Sequence, residues 1–127
     1  MKINLWVDDI RQAPMGWHRA KTVTEAIRIL DEYEVTEVSL DHDISARVVD
    51  FQGLSRVYLS AETFEPVARF IQRMVESIGT GDLWRINLHS ANPVGRANMV
   101  KILEPIKHLV IIRELPLLPS NPIEEMI

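Results

Sequence analysis

The chain has 127 residues, 46% of them apolar, with no cysteine and a formal net charge of −4. Those totals suit one domain, expected to span residues 1–127, and exclude disulfides, thiolate metal sites and cysteine nucleophiles. Lys and Arg are scattered, which argues against a basic face for duplex DNA, and no apolar run approaches the roughly 20 residues that cross a bilayer.

The N-terminus, "MKINLWVDD", carries one Lys and turns acidic by Asp8, unlike a secretory leader. With the absence of cysteine this sets the expectation of a cytoplasmic protein. Ile3 to Val7 reads as a buried strand stopped by Asp8-Asp9. "IRQAPMGW" reads as loop, and His18 to Lys21 as a brief second strand. Thr22 with Glu25 forms a capping box, followed by Ala26, Ile27, Leu30 and Tyr33 at helical spacing. "VTEVSLD" returns to strand. Residues 44–62 hold two extended runs around Gln52-Gly53, as in a hairpin or flap.

Thr63 is placed to cap a second helix, with Pro66 in its first turn. Phe64, Val67, Ala68, Ile71, Met74, Val75 and Ile78 form its apolar side, and "GTGD" ends it. "LWRINLHS" is a strand. Asn92-Pro93 matches N-cap and first position of a third helix running to about Leu103. "LVIIREL" is the last strand, followed by a Pro-punctuated tail over 116–127. Trp6, Trp84 and Met99 are assigned to the core, and His18 and His108 to structural roles.

Strands alternating with helices predict an α/β domain on a mostly parallel sheet. Right-handed crossovers place the strand C-termini along one edge, where such sheets bind ligands. Asp8 and Asp9, then Asp41, His42 and Asp43, then His89, Ser90 and Asn92 gather there. Arg11 follows the first strand, and Arg113 lies near the end of the last.

Four carboxylates from two neighbouring strands would repel one another, and a divalent cation relieves that cost. Asp8, Asp9, Asp41 and Asp43 are therefore the candidate metal ligands, with Mg²⁺ or another divalent ion as cofactor. The "HSANPVGRANM" stretch fits either an ordinary capped helix or a phosphate-binding helix start using Ser90, Asn92, Gly95, Arg96 and Asn98. His42 and His89 suit proton transfer and suit structural hydrogen bonding equally.

The acidic pair Asp8-Asp9, Asp41 after the third strand and Ser90 after the fourth resemble the receiver domain of two-component response regulators. That resemblance implies a flavodoxin-like three-layer fold with a five-stranded sheet in the order 2-1-3-4-5. It also implies Mg²⁺ on the acids, a phosphoryl group on the central Asp41 and a phosphate contact from Ser90. Three features depart from it. The helix after the acidic pair is shortened or missing, Arg113 stands where a Lys is usual, and Asp41 is followed by His42 and Asp43.

The strings "LWVDDIRQAPMGW", "KTVTEAI", "SLDHDI" and "HSANPVGRANM" more closely resemble the cyclic-phosphate processing receiver domains. That resemblance implies a metal-assisted phosphoesterase acting on a small phosphorylated ligand, a cyclic nucleotide or an RNA terminus. Asp41, His42 and His89 are then its catalytic candidates, with acid and base unassigned between the histidines and residues 44–62 closing over the site. The rival expectations are a signalling module phosphorylated on Asp41 and a non-catalytic module that binds a phospho-ligand or a protein.

Overall fold

The computed structural model describes residues 1–44, 47–51, 54–58 and 62–115. Five strands form one parallel sheet: β1 (Lys2–Val7), β2 (His18–Ala20), β3 (Glu34–Leu40), β6 (Arg85–Leu88) and β7 (Ile111–Glu114). They lie in the order β2-β1-β3-β6-β7, which is the expected 2-1-3-4-5 arrangement. Between β3 and β6 in sequence, β4 (Arg47–Phe51) and β5 (Leu54–Tyr58) pair antiparallel as a separate two-stranded sheet. The expected hairpin is thus present. Its Gln52-Gly53 connection lies outside the described residues, as does the 116–127 tail.

Three helices connect the parallel strands: α1 (Val23–Glu32), α2 (Glu65–Ile78) and α3 (Pro93–Leu103). The passages β2→β3, β3→β6 and β6→β7 all move the same way across the sheet. Right-handed crossovers therefore put all three helices on one face. The core records this, since Leu5, Val7, Val38, Leu40, Ile86 and Leu88 share one cluster with Ala26, Ile29, Val67, Ile71 and Met99.

Only β1→β2 moves the opposite way, so its connection crosses the other face. Among the described residues that crossing is the 8–17 loop, where a receiver has a helix. Trp6 donates through Nε1 to the Arg11 carbonyl at 3.1 Å and meets Trp17 edge-on, which pins the loop to this face. Alternation along the strands leaves Asn4, Glu37, Ser39, Arg85 and Asn87 on the same side. There Arg85 and Asn87 donate to Glu37 Oε2 at 2.9 and 2.6 Å, and Arg113 donates to Asn87 at 3.2 Å. This ladder across β3, β6 and β7 satisfies polar groups that a helix layer would otherwise have to exclude.

The caps follow the sequence in two of three helices. Thr22 Oγ1 accepts from Glu25 N, and Asn92 Oδ1 accepts from Gly95 N. At α2 the cap position falls to Phe64, which has no side-chain capping bond, and Thr63 instead accepts from Glu65 N at 3.2 Å. Several core assignments need correction. In α1 the buried residues are Ala26, Ile29 and Leu30 rather than Ile27 and Tyr33, because Tyr33 already adopts extended backbone to start β3. Ile78 ends α2 exposed, and Trp84 is half-exposed with the Arg85 guanidinium 4.5 Å above its ring.

Candidate functional site

The backbone ladder places the polar cluster. Asp8 N donates to Ala20 O at 3.0 Å, Asp41 N to Val7 O at 2.9 Å and His89 N to Leu40 O at 2.9 Å. Each bond extends the sheet one residue beyond the strands, so Asp8, Asp41 and His89 are fixed as neighbours at the C-terminal edge. One carboxylate oxygen from each of Asp8, Asp9 and Asp41 lies within 4.8 Å of the others.

Asp8 is the rigid member. Its Oδ1 accepts from the backbone N–H groups of Ile10 and Arg11, both at 2.9 Å, and its Oδ2 faces His89 Nε2 at 3.0 Å. Burial pushes this carboxyl up, but the bonds from His89, Arg11 and Ile10 outweigh it and leave it below the ordinary range. Asp41 goes the other way. Burial, then the Asp8 charge, push it from 3.8 to about 7, against the lowering bond from His42 N at 2.8 Å. Arg11 Nη1 stands 3.5 Å from both Asp8 Oδ2 and Asp41 Oδ2, bridging the pair.

This donor set fits a hard divalent cation. Three carboxylates converge, two of them buried, and a cation would neutralise the Asp8 charge that, after burial, raises Asp41. Asp43 does not join the triad; its carboxylate is exposed and engages His42 and Asn92 instead.

The two histidines sit in opposite environments. His89 is enclosed, stacked at 3.7 Å on Trp6, with Nδ1 2.6 Å from Ser39 Oγ. Burial lowers its pKa, so the neutral ring donates from Nε2 to Asp8 and accepts from the Ser39 hydroxyl. His42 has Nδ1 2.6 Å from Asp43 and Nε2 2.6 Å from Glu65. Burial works against its charge, but Glu65 and Asp43 outweigh it and hold the imidazolium. The same contact lowers Glu65.

The start of α3 closes the cluster. Ser90 Oγ accepts from Asn92 N at 3.1 Å, and Arg96 donates to the Ser90 carbonyl while its Nε lies 3.5 Å from Glu114. Gly95 is buried against His42: a Cβ there would stand 2.3 Å from the ring's Cγ. Asn98 is exposed on the second turn of α3. Of the sequence candidates, then, Asp8, Asp9 and Asp41 converge with His89 beside them. His42, Asp43, Asn92 and Gly95 form an adjoining cluster, and Asn98 stands apart.

Ser39 and Glu65 were not among the sequence candidates, and Arg11 was placed at the edge without a role. Ser39 shares strand parity with Glu37, which marks the polar face of β3. Glu65 looks like any acid in a first helical turn and gives no signal of its pairing with His42.

An all-parallel sheet in this order, with an acidic pair past its first strand, an Asp past its third and a Ser past its fourth, defines a receiver-like domain. Within that class the chain belongs to the family described as Cyclic-phosphate processing Receiver domain, whose model matches residues 3–105. No curated protein and no solved structure matches it.

Proposed function

We propose that this domain is a metal-assisted phosphoesterase that opens a cyclic phosphate at the C-terminal edge of its sheet, with Asp8, Asp9 and Asp41 holding Mg²⁺ or another divalent ion. The observation that carries this reading is the buried convergence of those carboxylates, with Asp41 held near neutral pKa by burial and by Asp8. A divalent cation in that position would supply Lewis acidity toward phosphate oxygens and toward water.

Ring opening adds a water oxygen to phosphorus as that water gives up a proton to solvent, breaks one phosphorus–oxygen ring bond and requires a proton on the departing oxygen. His42, held between Asp43 and Glu65, is the proposed donor of that proton. Its Nδ1 partner Asp43 is more than half exposed, so a substrate oxygen can take that carboxylate's place at the ring edge. Enclosed His89 is a positioning residue, fixing Asp8 through Nε2. Arg11, between Asp8 and Asp41, offers donors to the phosphoryl oxygens, together with Ser90 and the start of α3.

The test combines Mg²⁺ with a panel of cyclic nucleotides and RNA ends bearing a cyclic phosphate. Ring opening by the wild type, lost in Asp41→Ala and strongly slowed in His42→Gln, is the expected result. No ring opening, with a gain of one phosphoryl mass on Asp41 from a small phosphodonor, would replace this reading with a signalling one.

A further inference from the structure

A cavity of about 530 Å³ opens beside the acidic triad, reached through Asp9. It lies between the start of α1, with Lys21, Thr22, Val23 and Thr24, and the segment entering α2, with Thr63, Pro66 and Arg69. We infer that this cavity is the specificity pocket for the carbon-bearing half of the phosphate ester, and that it takes a single nucleoside-sized group rather than the end of a nucleic acid chain. The inference rests on the triad being the phosphate site.

Size is the first argument. A phosphate has only five heavy atoms, while the volume falls within the roughly 300–1,000 Å³ of pockets that enclose a small organic ligand. The wall chemistry is the second. Val23, Ile44 and Pro66 offer apolar surface for a ring face, while the hydroxyls of Thr22, Thr24 and Thr63 suit the polar rim of a sugar or base.

Charge separates the two substrate classes. Among the described lining residues Lys21 and Arg69 are the cations, and Glu62 and Asp9 oppose them. A nucleic acid strand is usually tracked by a run of cations along its backbone. The two described cations at the rim of one cavity match a single organic phosphate.

The experiment titrates the full chain with 2′,3′-cyclic AMP, with inorganic phosphate, and with a short RNA ending in a cyclic phosphate, all in Mg²⁺. Expected is at least tenfold tighter binding of 2′,3′-cyclic AMP than of phosphate, with the RNA no tighter than the mononucleotide. Thr24→Trp, which fills the cavity from an exposed position, should weaken the mononucleotide at least tenfold and leave the Mg²⁺-dependent rise in melting temperature intact. Should that variant misfold, Lys21→Glu at the exposed rim should weaken the mononucleotide in the same direction.

Equal affinity for nucleotide and phosphate, or nucleotide affinity untouched by both variants, overturns the pocket. So does RNA bound far more tightly than the mononucleotide. Failure of the metal reading looks different: no Mg²⁺-dependent shift in the wild type, with mononucleotide binding still sensitive to Thr24→Trp.

Discussion

Asp41→Asn tests the electrostatics of the triad directly. With Asp41 at about 7 in the folded protein and 3.8 as its ordinary value, the folded state holds a proton that the unfolded chain releases across that window. The sign follows: Asp41 favours folding fully below about 3.8, and that contribution is lost as pH rises to about 7. At about 1.4 kcal/mol per unit, the loss is on the order of 4 kcal/mol, an upper figure because relaxation and water entry soften buried charge. An Asn at this position can still accept the bond from His42 N while carrying no charge. In metal-free buffer, urea unfolding from pH 4 to 8 should find the variant close to wild type at pH 4 and more stable by a few kcal/mol at pH 8. Saturating Mg²⁺ should narrow the gap at pH 8 by stabilising wild type alone. A gap that does not change with pH, or an Asn variant less stable than wild type at pH 8 without metal, would refute the reasoning.

Three further outcomes follow from contacts at the site and on the sheet. Gly95→Ala puts a methyl group into the His42 ring, which Asp43 and Glu65 hold in place. Thermal or urea unfolding should show a loss of about 1–3 kcal/mol, the usual cost of overpacking, and an unchanged midpoint would mean that the ring shifts freely. Ser39→Ala strips His89 Nδ1 of its partner inside the core and should cost about 1–3 kcal/mol. The same variant should weaken Mg²⁺ binding by loosening Asp8, read as a smaller metal-dependent melting shift. Arg85→Ala leaves Glu37 with Asn87 alone and should destabilise by about 3 kcal/mol at neutral pH. Adding Glu37→Gln should recover part of that loss, and no recovery would contradict the charge argument.

How much could be read in advance depended on whether the cause was local. Thr22-x-x-Glu25 and Asn92-Pro93 carry their capping chemistry within one helical turn, and both helices start there. Strand order was legible because the acidic pair, Asp41 and Ser90 resemble a family whose topology is known. The loop crossing from β1 to β2 was legible as well, because Pro14 and Gly16 break "IRQAPMGW" before a helix can form. The inward side of α1 was misjudged because Tyr33 is helical by spacing yet extended by the demands of β3. At the site, Asp8, Asp9 and Asp41 follow strand ends and could be gathered from topology alone. Nothing local says that Asp43 turns to His42 and Asn92, or that Glu65, on a different element, completes the His42 clamp. Those pairings exist only once α2 and α3 are docked.

The 8–17 loop has a consequence for how such a domain can change. It caps Trp6, and through Trp6 the His89–Asp8 pair, yet Pro14, Met15 and Gly16 within it are absent from the apolar cluster under the three helices. Insertions and deletions at its tip would therefore reshape the surroundings of Asp8 and Arg11 while leaving the apolar core alone. The apolar core and the tip of this loop thus lie on opposite sides of one sheet, so the tip can change without repacking the core.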